Sequence, residues 1–396
     1  MINNLEENKV KLRNYLNKRD NIKNDIVDLS KVLAKQNGVS LNLTETQKEL
    51  KELIPSKKHT VFILLDGFGY NKLQTLPDTS ILKQNLKCKL KTVNPTSTAC
   101  VLTSLISASY PSEHGIFGWW DYNKEFDINY YPLLFMQRRS EIALDKKGIK
   151  LEDIFKFTPI FEKYKTQVNV YESRELINST YTKMFSGKKS NRYGYYSIKH
   201  AFVTMSKRLN ETKENTFNYV YIDGLDLNSH IYGTDSKEVS TIIEAVENGI
   251  KTLLNEVKDV NIILTADHGQ VEMTSMLYLN QNVNFINYFY AMPSIDTRMI
   301  SFFVKEKYKE EFENKFMQEF GKDVILLKKE EIEEYKLFGS NKLSKHAYDS
   351  IGEYIAVIVN NKFMVCDRIN LDDKMNTKGN HSGLTEEETT IPLVII

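Results

Sequence analysis

A chain of 396 residues with 41% hydrophobic and 27% charged residues can bury a sizeable core, and its length suits one large α/β domain carrying an insertion. Lys plus Arg (53) nearly balance Asp plus Glu (52), which excludes a broad basic field that would draw it to long nucleic acid, though not a local basic pocket for a small anion. Three cysteines (Cys88, Cys100 and Cys366) are too few for a disulfide framework or a thiolate metal signature, and the first residues lack the apolar run of a signal peptide.

Residues 1–57 read as a polar helical arm that packs on the main domain and carries no recognisable chemistry. Residues 6–18 form a charged amphipathic stretch, and residues 25–37 place Ile26, Leu29, Val32 and Leu33 on one helical face before Gly38 stops the helix. At residue 60 the texture changes. Residues 60–65 are a continuous apolar run, as in a strand covered on both faces, and end in Asp66-Gly67-Phe68-Gly69. Residues 217–222 lead likewise into Asp223-Gly224-Leu225-Asp226, and residues 260–264 into Thr265-Ala266-Asp267-His268-Gly269. Helical segments such as 240–257 lie between these runs, so residues 58–270 are expected to form a mostly parallel sheet. Residues 271–370 look like a smaller α+β cap. They offer a strand at 298–304, an amphipathic helix at 307–320, a strand at 324–327, and a hairpin of 354–359 and 362–366 turning at Asn360-Asn361. Residues 371–396 return to the core through a polar stretch at 372–380, His381 and a strand at 391–396. No stretch is apolar for long enough to span a bilayer, so no membrane partner and a cytoplasmic location are expected.

Three Asp residues stand at or just past the ends of three apolar strands, where open α/β sheets bind ligands. Asp267 and His268 suit a metal of intermediate hardness such as zinc or manganese; taken alone, the pair reads more readily as a helix N-cap Asp and a surface His. Asp226 and His230, four apart, would share one helical face as a second ligand pair, or simply hydrogen-bond each other. Asp223 is a neighbouring carboxylate without that spacing. His381, between Gly379 and Gly383, has backbone freedom to approach a metal, though a solvated loop histidine has the same pattern. Thr98 opens an apolar helix. Its hydroxyl could be aimed over a helix N-terminus that welcomes phosphate, activated by a metal, or Thr98 or Ser97 could be an ordinary N-cap.

Taken in order, these motifs resemble the type I phosphodiesterase/nucleotide pyrophosphatase branch of the alkaline phosphatase superfamily. The resemblance runs from about residue 60 to 396. It rests on Asp66-Gly67-Phe68-Gly69, Thr98 with Thr103-Ser104-Leu105 and Pro111 to Gly115, Asp226 with His230 and Gly233, Thr265 to Gly269, and His381-Ser382-Gly383-Leu384. It implies an α/β/α sandwich core and two divalent metal ions, zinc or manganese. Asp66, Thr98, Asp267 and His268 would hold one ion, and Asp226, His230 and His381 the other. Thr98 would attack phosphorus and pass through a phosphothreonine. The sequence departs from the family in two places: Trp119 stands where an Asn usually helps bind the phosphoryl oxygen, and Ala99 replaces an aromatic beside the nucleophile. Trp119, Trp120 and Tyr122 are therefore candidates to stack on a base, or to pack under the cap. His114 is expected to serve the local fold.

A threonine nucleophile with no arginine evident beside it points to a small nucleotide diester. Within the branch, the arm (residues 29–33 and 38–39), the 338–352 stretch and the ending His381 to Thr385 resemble bacterial cyclic-di-AMP phosphodiesterases. Other nucleotides, a phosphonoacetate-type carbon–phosphorus bond, and an inactive nucleotide sensor are the alternatives.

Overall fold

The computed structural model describes residues 2–366 and 377–396. Part of the polar stretch expected at 372–380 thus lies outside the described residues. Seven strands form the main sheet: β1 (His59–Leu65), β2 (Leu86–Lys91), β3 (Gln167–Ser173), β4 (Asn191–Tyr195), β5 (Thr216–Ile222), β6 (Val260–Thr265) and β7 (Thr390–Ile395), in the order β2-β7-β6-β1-β5-β3-β4. Pairings among β1, β3, β4, β5 and β6 are parallel, whereas β7 runs antiparallel to both β2 and β6. The central strands are buried along nearly their whole length, which is why they read as unbroken apolar runs rather than alternating ones. Helices Thr98–Ser107, Ile198–Glu211 and Lys237–Glu256 bury apolar stripes in the same core, giving the expected α/β sandwich.

Register is what builds a site from this sheet. Leu65 lies opposite Ile222, and Leu64 opposite Thr265. The chain therefore leaves β1, β5 and β6 at one edge, and the acidic residues that follow emerge side by side.

The cap carries a four-stranded antiparallel sheet of Ser294–Ile295, Met299–Phe302, Tyr354–Ile358 and Val324–Lys328, in that order. Its period-two pattern is buried on both faces. Ile300, Phe302, Leu326 and Ala356 pack on Phe312, Phe316 and Phe320 of helix Lys309–Phe320. Met299, Ile325, Leu327 and Val357 face a second cluster with Phe117, Phe338 and Leu12 of the arm. The arm is thus divided: Ile2–Asp20 lies against the cap, with the Tyr15 hydroxyl donating to the Val359 carbonyl at 3.0 Å, while Ile26–Gln36 joins the main core. Asp25 caps the latter helix in a reciprocal box with Asp28, which fixes its start.

The hairpin expected at 354–366 does not form. Tyr354–Ile358 pairs within the cap sheet, whereas Lys362–Val365 runs parallel to Ser275–Tyr278. Arg298 drives the divergence: its Nη1 donates to the carbonyls of Asn360 (2.7 Å) and Lys362 (2.6 Å), holding the chain where the tight turn would have been.

Candidate active site

Thr98 is the first residue of helix Thr98–Ser107. Ser97 occupies the N-cap position, yet its side chain makes no cap bond and donates instead to Asp296 Oδ2 at 2.8 Å. The Thr98 hydroxyl lies 3.3 Å from His268 Nε2, at a helix end whose free amides and dipole favour an anion.

His268 Nε2 is also 3.4 Å from Asp66 Oδ1 and 3.3 Å from Asp267 Oδ2. Each carboxylate has its other oxygen tied back. Asp267 Oδ1 accepts from the amides of Gly67 (3.0 Å) and His268 (2.9 Å), and Asp66 Oδ2 accepts a short hydrogen bond from the Tyr221 hydroxyl. Asp66 Oδ1 and Asp267 Oδ2 are buried and have no hydrogen-bond partner. Across the cleft, His230 Nε2 lies 3.3 Å from Asp226 Oδ2, and His381 Nε2 lies 3.6 Å from Asp226 Oδ1, which also accepts a short hydrogen bond from Gln270. The His268 and His381 rings stack at 3.8 Å, so the two groups abut.

All three histidines are oriented alike. Nδ1 of His230 lies 2.7 Å from the Gly379 carbonyl, Nδ1 of His381 2.8 Å from that of Thr96, and Nδ1 of His268 3.1 Å from that of Gly269. A carbonyl can only accept, so in the neutral ring each Nδ1 carries the proton and each Nε2 offers its lone pair inward.

The electrostatics ask for cations. Burial, then the charges of Asp267 and Asp226, push the Asp66 carboxyl well above the ordinary range. Burial opposes ionisation of Asp226, but His230, His381 and His268 hold it below that range. Burial and the neighbouring His268 push His381 down to about 4, favouring the neutral ring a metal needs. Two sets of oxygen and nitrogen ligand atoms, Asp66-Asp267-His268 and Asp226-His268-His381, each lie within 4.8 Å of one another. Buried carboxylate oxygens without partners, beside imidazole lone pairs, fit divalent ions of the zinc or manganese type.

The sequence-derived residues divide as follows. Asp66, Thr98, Asp226, His230, Asp267, His268 and His381 converge, with His268 at the junction of the two groups; Asp223 belongs to neither ligand group. Trp119 and Trp120 line a cleft of about 340 Å³ that also contains Thr98, Asp226, His230, Asp296, Phe363 and His381. Trp119 is 38% exposed, while Trp120 is backed by the Arg138 guanidinium at 4.3 Å from its ring. Tyr122 does not reach this cleft: it is buried against Phe303, with its hydroxyl donating to Asp127. His114 serves the local fold, accepting from the Ile116 amide at Nδ1 and meeting Ser104 Oγ at Nε2. Tyr221, Gln270, Asp296 and Asn380 are additions that motif reading missed. Gln270 and Asn380 flank known motifs and were findable; Tyr221 and Asp296 left no local mark.

The sequence model of the type I phosphodiesterase/nucleotide pyrophosphatase family matches residues 60–384. The chain belongs to this family. It is thereby placed in a branch of the alkaline phosphatase superfamily whose members are phosphodiester hydrolases, typically metal-dependent. The human ectonucleotide pyrophosphatase/phosphodiesterase family member 1 is 25% identical over 240 residues, 56% of this chain but only 25% of that protein, so the match spans about a quarter of the relative's length. Among type I phosphodiesterase-like folds, murine ectonucleotide pyrophosphatase/phosphodiesterase 5 superposes with a TM-score of 0.65 at 17% identity, covering 85% of this chain and 87% of that one. Phosphonoacetate hydrolase from Sinorhizobium meliloti 1021 superposes with a TM-score of 0.62 at 15% identity, covering 90% and 92%. At these identities the likeness establishes the fold. Among the described residues, no helix is long and apolar enough to cross a membrane.

Proposed function

We propose that the protein hydrolyses a nucleotide phosphodiester with Thr98 as nucleophile, and that its substrate is cyclic di-AMP, cleaved to AMP. The observation that carries the reading is the Thr98 hydroxyl at 3.3 Å from His268, the residue common to both carboxylate–imidazole groups, in a cleft that Trp119 also lines. A cleft of about 340 Å³ suits part of a nucleotide, and an exposed indole offers a face for a base. A structure of murine ectonucleotide pyrophosphatase/phosphodiesterase 5 has been solved as an inactive variant in complex with AMP, which supports a nucleotide ligand for this fold. The arm segment on which the resemblance to cyclic-di-AMP enzymes partly rests touches the helix that carries Thr98, Ser30 Oγ donating to the Leu105 carbonyl at 2.6 Å.

In this mechanism Asp66, Thr98, Asp267 and His268 would hold one divalent ion, and Asp226, His230 and His381 the other. Such ions lower the pKa of a nearby hydroxyl and neutralise charge on phosphoryl oxygens. The chain supplies positioning. The carbonyls of Gly379, Thr96 and Gly269 fix the imidazoles, Tyr221 and Gln270 hold Asp66 and Asp226, and the helix end faces the phosphate. Thr98 Oγ1 forms its bond to phosphorus as the bond to the leaving ribose oxygen breaks, and that oxygen gains the proton the hydroxyl gives up. Water then cleaves the phosphothreonine and restores the hydroxyl, leaving a linear dinucleotide whose remaining diester undergoes the same two displacements to give AMP. A cytoplasmic location accompanies this reading.

Product analysis with added manganese or zinc tests the proposal on cyclic di-AMP, a linear dinucleotide, a dinucleoside polyphosphate and phosphonoacetate. Preferential release of AMP from the cyclic dinucleotide supports it. Preference for another nucleotide moves the substrate within the family, and turnover of phosphonoacetate alone replaces the reaction. Thr98→Ala is expected to abolish turnover while retaining metal; persistent turnover would remove Thr98 as nucleophile, and a metal-loaded wild type inert to every substrate would leave a nucleotide sensor.

A further inference from the structure

One acidic side chain enters the cleft that neither ligand group uses. Asp296 sits in the turn between the Ser294–Ile295 and Met299–Phe302 strands of the cap, its amide donating to the Met299 carbonyl at 3.0 Å. The residue before it, Ile295, is held at φ 80°, a left-handed conformation that a β-branched residue rarely adopts, so the turn is constrained by its surroundings. Ile295 is locked there by paired backbone bonds with Trp120, its amide donating at 2.7 Å and its carbonyl accepting at 3.3 Å. The carboxylate is just as fixed: Oδ2 accepts from Ser97 Oγ at 2.8 Å and Oδ1 from the Thr297 amide at 2.7 Å. Asp296 therefore stands against the residue preceding the nucleophile and lines the same cleft as Thr98, His230 and His381. Among the described residues lining that cleft, the other ionisable groups are Asp226, His230 and His381, and no lysine or arginine is present.

We propose that Asp296 is a charge filter, disfavouring a bound phosphate that carries a second negative charge and so setting a preference for diesters over monoesters. The proposal rests on the phosphodiesterase reading above. A diester phosphate is a monoanion and a monoester above its second ionisation near pH 6 is a dianion, so the two differ by about one charge at the reacting centre. A fixed carboxylate nearby, in a cleft partly shielded from water, repels that extra charge much more strongly than bulk solvent would allow. It also opposes retention of a monoester product, which would clear AMP from the site.

The test uses the full chain loaded with manganese at about pH 8, where a phosphomonoester is a dianion. Wild type, Asp296→Asn and Asp296→Ala are compared on bis(p-nitrophenyl) phosphate and p-nitrophenyl phosphate, with bound metal measured in each. Asn keeps an oxygen for the Ser97 hydroxyl while removing the charge. In both variants the monoester-to-diester ratio of kcat/KM is expected to rise about tenfold. Calorimetry in a Thr98→Ala background is expected to show AMP bound about tenfold more tightly once Asp296 is neutralised. A ratio and an AMP affinity within twofold of wild type, even if both rates fell together, would reduce Asp296 to a structural holder of Ser97 and overturn the filter. An inactive wild type would instead count against the phosphodiesterase reading, and the AMP measurement would still decide the filter.

Discussion

Glu388→Gln is the sharpest perturbation the structure offers. Arg298 and Glu388 are both fully buried and joined in a fork, Nε to Oε1 at 2.7 Å and Nη2 to Oε2 at 3.0 Å. Burial opposes ionisation of Glu388, but Arg298 and the hydrogen bonds from Thr385 and Gly383 hold its carboxyl below the ordinary range. Its oxygens also accept from the amides of Gly383 (2.7 Å) and Thr385 (3.1 Å) and from the Thr385 hydroxyl (2.8 Å). Glutamine would remove the countercharge of a guanidinium that has no access to water and turn an NH2 group toward donors. Breaking a buried pair in this way costs about 3–5 kcal/mol. The damage should reach the site, because Gly383 follows His381 by two residues and the Arg298 amide donates to Ser382 Oγ at 3.1 Å. We expect urea unfolding to show that loss, and the affinity for the ion at Asp226, His230 and His381 to fall about 10–100-fold, the usual effect of disturbing a ligand's support. Arg298→Met alone should lose a similar amount. The double variant should lose clearly less than the two single losses combined, because neither buried charge is then left alone. A loss under about 1 kcal/mol for Glu388→Gln, or strict additivity in the cycle, would refute the reasoning.

Chelation should lower the melting temperature, and manganese or zinc should restore it, since ions bound only by the folded state stabilise it by about 2.7 kcal/mol at 100-fold excess over Kd; an unchanged melt would contradict the cation-seeking electrostatics. Gly118→Ala would bring a Cβ to 2.0 Å from the Ile295 carbonyl oxygen, a backbone contact that cannot yield, so thermal stability and kcat/KM should both drop through the displaced Trp119–Trp120 wall. Glu172 is buried, and desolvation raises it to about 7 from an ordinary value of 4.5. A raised pKa makes folding favourable below the unfolded value and progressively less so as pH climbs through the folded one. Wild type should therefore lose stability relative to Glu172→Gln between about pH 4.5 and 7, by about 3 kcal/mol. Urea midpoints that differ by a constant amount across that range would show the carboxyl is not perturbed.

The residues proposed to hold metal are legible because each belongs to a short local pattern. An apolar strand delivers Asp66, another delivers Asp267 and His268, and a helical spacing joins Asp226 to His230. Their strands neighbour each other in parallel register, so local signals add up in space. What stayed hidden depends on distant partners. Lys362–Val365 reads locally as the return arm of a hairpin, and only its pairing with Ser275–Tyr278 and the Arg298 clamp send it elsewhere. Tyr122 stands two residues from Trp120, yet Phe303 and Asp127, both distant from any motif, take its ring and its hydroxyl. Asp296 lies in a stretch without motif and becomes part of the site only because the cap folds back onto Ser97.

The placement of β7 between β2 and β6 also bears on synthesis and truncation. Until residues 390–395 leave the ribosome, β2 has no bridge to the rest of the sheet and β6 presents a bare edge, each ready to pair with a stray strand. The nascent protein therefore has every residue proposed to hold metal, His381 included, already synthesised beside an open seam. A stop codon at residue 390 would remove none of those side chains, yet it should yield aggregates rather than a weakened enzyme.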